Sequence, residues 1–187
     1  MTGRIERLQQ EFAITVRWRA FPLHPEVPEE GQSLVDLFRT SPEKIAGILQ
    51  NLQAKATELG LPFGPREKTF NSRLAQELGM WAAAKGRGET FHLATFKAYF
   101  AHGLNIGDSK VLVKIARDVG LPESEAARVL AERPYKEQVD RDWQESRLRG
   151  ITAVPTFVMG QHRLVGAQSY QDLAAMVRLS GAGKKTP

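Results

Sequence analysis

The sequence predicts an α/β chain in which short strands near both ends bracket a long helical block. Three observations carry that reading. Residues 14–21, ITVRWRAF, alternate with period two, with Ile14, Val16 and Trp18 on one face and Thr15, Arg17 and Arg19 on the other. From about 33 to 149 the apolar period is helical and broken by caps and glycines. After Gly150 the period returns to two in TFVM and RLVG, on either side of Gly160-Gln161-His162.

The elements follow in order. Ile5, Leu8 and Phe12 sit at helical spacing and predict a short helix near the start. The alternating run 14–21 is a strand with one buried face, and its arginines suit a sheet edge. PLHPEVPEEG then breaks regular structure with three prolines in seven residues. Ser41-Pro42-Glu43 has the pattern of N-cap, first-turn proline and dipole-complementing acid, with a stop at Gly60. Leu74, Leu78, Trp81 and Ala82 share one face of a helix ending at Gly86. ETFHLATFKAYFAHG closes at Gly103, and Asp108 caps a helix that stops at Gly120. Two more helices are expected around 123–132 and 135–149.

Gly160 at the first central position of a two-residue turn predicts a type II′ hairpin joining TFVM to RLVG. Ser169 caps a last helix that carries Leu173, Met176 and Val177 on one face. The tail GAGKKTP is expected to be disordered. Two lone strands are too few for stability, so those at the two chain ends are expected to share a sheet.

Composition excludes several function classes. The chain of 187 residues is 42% hydrophobic and 25% charged, enough for a full core. Its net charge is +5, but the basic residues are scattered, with Arg147, Arg149, Lys184 and Lys185 the nearest to patches, so nucleic acid is not an expected partner. No run has the length of a membrane span, and MTGRIERLQQEF lacks a signal-peptide core, so the expected setting is cytoplasmic, away from membranes. There is no cysteine, which excludes disulfides, thiolate metal sites and thiol nucleophiles in these residues. The four histidines His24, His92, His102 and His162 show no ligand spacing, so no metal centre is expected.

Four stretches, VRWRAFPLHPEVPEEG, FNSRLAQELGMWAAAKG, FKAYFAHGLNIGDSKVLVKIARDVGL and GITAVPTFVMGQHRLVGAQ, together resemble the DsbA family, in particular its FrnE-like branch of dithiol–disulfide isomerases. The resemblance runs from about residue 4 to 178, and AVPTFV followed by GAQ is its most specific part. It implies a thioredoxin-like fold with an inserted helical domain, N-terminally incomplete because the first strand is missing. The corresponding divisions are a partial thioredoxin-like half at 1–32, the helical insertion at 33–149, a hairpin and last helix at 150–180, and the tail at 181–187.

The resemblance also implies a cis Val154–Pro155 bond opening a core strand. The loop Ala153, Val154, Pro155 and Thr156 would then bind substrate, either protein or peptide thiols or glutathione. Proline at a strand's first residue is what the sequence itself supplies. The family's strand and Cys-x-x-Cys motif, whose first thiol is activated at a helix N-terminus, have no counterpart here, nor has the serine of the glutathione-dependent, kappa-like branch. Because the match begins inside a helix, the native start is expected upstream. The other solutions are a sheet closed around the gap or a second chain filling it. Three functions follow: a thiol–disulfide oxidoreductase inert in exchange as these residues stand, a non-catalytic binder of peptide or thiol ligand that could pair as a homodimer, and a kappa-like glutathione-dependent isomerase or transferase. No cofactor is required, with glutathione the one candidate. His24 is expected to be a loop residue, Trp81, Phe91, Phe96 and Phe100 core, and Gln168 to orient the last helix.

Overall fold

The structure, a computed structural model, describes residues 2–185. The chain forms two compact units, one of residues up to 23 together with those from 142 onward, the other of residues 24–141.

The first unit opens with α1, Thr2–Glu11. Ile5, Leu8 and the following Phe12 are all buried, as their spacing requires. Residues 14–21 then run without any strand assignment, which corrects the expected paired strand and the sheet shared by both chain ends. Period-two patterning sorts side chains onto two faces, but a ladder also needs a neighbour offering free N–H and C=O groups. Instead, Ile14 and Val16 pack on the small core, while Trp18 is 51% exposed. The segment is pinned by the buried Asp142, whose carboxylate accepts from Arg19 Nη1 at 2.7 Å and from the Ala20 N–H at 2.9 Å.

The second unit is helical. β1 (Gln32–Ser33) leads into α2 (Leu34–Phe38), and α3 (Pro42–Glu58) follows. β2 (Lys68–Thr69) pairs antiparallel with β1, a two-residue ladder too short to leave a periodic signal. Next come α4 (Arg73–Ala84), α5 (Gly88–Phe100), α6 (Ser109–Asp118) and α7 (Glu123–Glu132). Ser41 accepts from the Lys44 N–H and Asp108 from the Lys110 N–H, so both expected caps form. Leu78, Trp81, Ala82, Phe91, Leu112 and Ala116 lie at the centre of a continuous core. Of the aromatics expected there, Trp81 and Phe91 join the core, whereas Phe100 is only partly buried outside it and Phe96 is 45% exposed and packs edge-on against His92.

α8 spans Lys136–Leu148, followed by β3 (Thr156–Met159), β4 (His162–Val165) and α9 (Tyr170–Leu179). The loop from His24 onward goes with the helical unit, where Asn71 Nδ2 donates to the Val27 carbonyl and Asn105 Nδ2 to that of Glu29, each at 2.8 Å. β3 and β4 pair in register Thr156↔Val165 to Met159↔His162. Gly160 takes φ 58 while Gln161 stays out of the positive region, which is the II′ combination. α1 and α9 cover one face of this hairpin through Leu8, Phe12, Leu173 and Val177 against Phe157, Met159 and Leu164. Residues 181–185 are ordered against α1, correcting the expected disorder. The Ala13 N–H donates to the Gly183 carbonyl at 3.0 Å, and the Lys185 N–H to that of Glu11 at 2.9 Å. The remainder of the expected tail, 186 and 187, lies outside the described residues.

Candidate functional site

The loop from Ala153 to Thr156 is positioned from both sides. Upstream, α8 ends in a Schellman arrangement: Gly150, at φ 60, donates to the Arg147 carbonyl at 2.9 Å, and Ile151 to that of Ser146 at 2.9 Å. Arg163 on β4 reaches back to the carbonyls of Arg149 and Gly150 and ties this helix end to the hairpin. Within the loop, Thr156 Oγ1 donates to the Ala153 carbonyl at 2.6 Å. Downstream, the Pro155 carbonyl accepts from the Gly166 N–H at 2.7 Å. The Val154–Pro155 peptide is cis.

Those bonds fix which way the backbone faces. In an antiparallel pair, directly opposed residues alternate between exchanging hydrogen bonds and turning their polar groups outward. Pro155 bonds Gly166 and the register continues two by two, so Phe157 and Met159 face β4. Thr156 and Val158 therefore turn their N–H and C=O away from β4. Among the described residues, β4 is the only strand beside β3, so this edge is open. Pro155 lacks an N–H and stands immediately before the strand, where its loss costs no ladder bond. Val154 is 45% exposed.

The neighbouring GAQ segment is structural. Gln168 Nε2 donates to the Val165 carbonyl at 2.6 Å, and the Gln168 carbonyl accepts from Arg4 Nη1 at 2.6 Å. The cap itself is Ser169, which accepts from the Asp172 N–H at 3.1 Å. The Tyr170 hydroxyl, at the start of α9, donates to Glu11 on α1, whose carboxyl is held below its ordinary value by that bond and by Arg7.

His24 belongs to the second unit, where Nδ1 lies 3.4 Å from Glu26 and the ring sits edge-on to Phe38. The strongest electrostatic cluster in that unit escaped the sequence reading. Glu77 is buried, yet it accepts from Arg73 Nε at 2.5 Å and from both Arg133 Nε and Nη2, at 3.0 and 2.8 Å. Burial pushes its pKa up, but the bonds from Arg133 and Arg73 outweigh it and hold the carboxyl below its usual range. A carboxylate fixed between two guanidiniums is a clasp, not a proton donor. Arg73 extends the clasp to Asp140 at 2.6 Å and to the Lys136 carbonyl at 2.8 Å, fastening the start of α8 to α4. Its only sequence signal was a glutamate on an otherwise apolar helix face. Among the described residues, no group of three or more His, Asp or Glu side chains is placed to hold a metal ion. No described helix is long and apolar enough to cross a membrane.

A helical block inserted in a chain whose C-terminal part is hairpin plus helix, with a proline loop opening the hairpin, defines a thioredoxin-like fold of the DsbA type. The model of the DSBA-like thioredoxin domain matches residues 1–178, and the chain belongs to that family. It is similar to the uncharacterized protein YwbO of Bacillus subtilis (strain 168), 28% identical over 163 residues covering 82% of this chain and 76% of that one. Among solved structures, the probable DsbA oxidoreductase SCO1869 from Streptomyces coelicolor has a TM-score of 0.85 at 27% identity, covering all of this chain and 85% of the other. A Nitrosomonas europaea structure shares the fold with a TM-score of 0.60 at 21% identity over 74% of each chain.

Proposed function

We propose that this chain, a FrnE-like member of its family, binds an extended peptide or a thiol ligand such as glutathione along Ala153–Thr156 and the open edge of β3. These 187 residues would hold the ligand without exchanging disulfides, because no cysteine supplies a thiolate to attack or resolve. The observation that carries the binding reading is the outward pair of backbone groups on Thr156 and Val158, next to the exposed Val154. An extended chain adding to a sheet edge takes its affinity from main-chain hydrogen bonds of this kind.

Val158→Pro tests the reading. It removes one outward N–H and leaves the bonds to β4 intact, since Val158 is not a hydrogen-bonded partner of Arg163. Calorimetry with reduced glutathione, and with a peptide of alternating polar and apolar residues, is expected to show binding weakened by roughly tenfold. Unchanged binding would place the ligand elsewhere. Catalysed precipitation of reduced insulin by this chain would contradict the non-exchanging part of the reading.

A further inference from the structure

We propose that α3 is a self-association helix, pairing antiparallel with α3 of a second copy of this chain across a two-fold axis near Leu52. α3 is 17 residues long, yet Ile45 is its one buried residue. Ile45, Ile48, Leu49, Leu52, Ala56 and Leu59 fall within a single arc of about 100°, the width that a helix ordinarily buries. Here the arc is mostly open: Ile48 is 52% exposed, and Leu52 and Leu59 are 46% exposed. The apolar spacing 45, 49, 52, 56, 59 repeats as four, three, four, three, which is the spacing of a seam between two helices.

The chemistry of the arc selects the occupant and its direction. With Leu52 of the two copies meeting at the axis, an antiparallel pair sets Ile48 opposite the small Ala56, so a large side chain faces a small one. A parallel pair would stack Ala56 on Ala56 and leave a gap. The charges beside the open edge agree. Lys44 stands in the first turn and Glu58 in the last, on the same side of the arc, where Glu58 already pairs with Lys55 at 2.7 Å. Antiparallel pairing brings Lys44 of each copy beside Glu58 of the other. Parallel pairing would leave Lys44 and Glu58 at opposite ends of the pair, with no such contact. A contact about 25 Å long is at the small end of specific interfaces, which suits association in the micromolar range.

Sedimentation equilibrium of the full chain between about 1 and 100 µM tests this. The mass is expected to move from the monomer value of 20.8 kDa toward twice that value. Leu52→Glu, at an exposed position, should hold the protein monomeric with its circular dichroism unchanged. Lys44→Glu should weaken association by about three- to tenfold, and adding Glu58→Lys should restore it. A monomer across the whole range, or a dimer indifferent to Leu52→Glu, would overturn the proposal. Failure of Glu58→Lys to rescue would overturn the antiparallel arrangement.

Discussion

The two units differ in how their backbones are satisfied. In the helical unit, each helix closes its own hydrogen bonds and needs neighbours only for its apolar stripe, so one continuous core runs from Ala75 to Leu130. In the first unit, among the described residues, β3 has a ladder on one side only, and the period-two run 14–21 has none. That run is held by a buried aspartate and two half-buried side chains instead of by a sheet. The difference teaches that strand patterning states what a segment could bury, while pairing depends on which other backbone lies beside it. Unpaired backbone of this kind is where a ligand could bind without displacing a packed structure, as the proposed function requires.

Four substitutions sharpen the contrast. Glu77→Gln leaves Arg73 and Arg133 facing a neutral side chain, and the helical unit should lose about 3 kcal/mol in urea unfolding. Leu112→Ala, at a fully buried position of the same unit, should cost about the same or slightly less, 2–3 kcal/mol. Asp142→Ala should cost about 1–2 kcal/mol and release residues 14–21, seen as loss of amide protection at Ala20 with the helical core unaffected. Ser169→Ala should cost about 1 kcal/mol by removing the cap of α9. A larger loss from Asp142→Ala than from Glu77→Gln would reverse the ranking of the two units.

Acid should act on the helical unit through Glu77. The ordinary glutamate value is 4.5, and Glu77 lies below it in the folded state. Its stabilising contribution is therefore complete above about pH 4.5 and is lost as pH falls through the lower folded value. Urea midpoints measured from pH 7 down to 3 should fall in that acid window, and Glu77→Gln should flatten the decline.

Much of the helical unit was legible because its signals are local. Ser41 and Asp108 each cap the helix they precede, and Leu78, Trp81 and Phe91 are buried as their spacing required. The hairpin was legible for the same reason, through Gly160. Three features were not. Pairing of residues 14–21 depended on a neighbour that the segment cannot specify. The ordering of 181–185 depends on backbone bonds to residues Glu11 and Ala13, far away in sequence. The Glu77 clasp joins residues 56 and more positions apart across α4, α7 and α8. The site divides likewise: Pro155 at a strand start was readable, whereas the outward facing of Thr156 and Val158 follows only from the register with β4.

Amide hydrogen exchange along β3, with and without reduced glutathione or the extended peptide, tests the central claim most directly. The open-edge account predicts slow exchange at Phe157 and Met159 throughout, fast exchange at Thr156 and Val158 in the free protein, and slowing at those two when ligand is added. Protection of Val158 in the free monomer, or no response at Thr156 and Val158 to bound ligand, would contradict it.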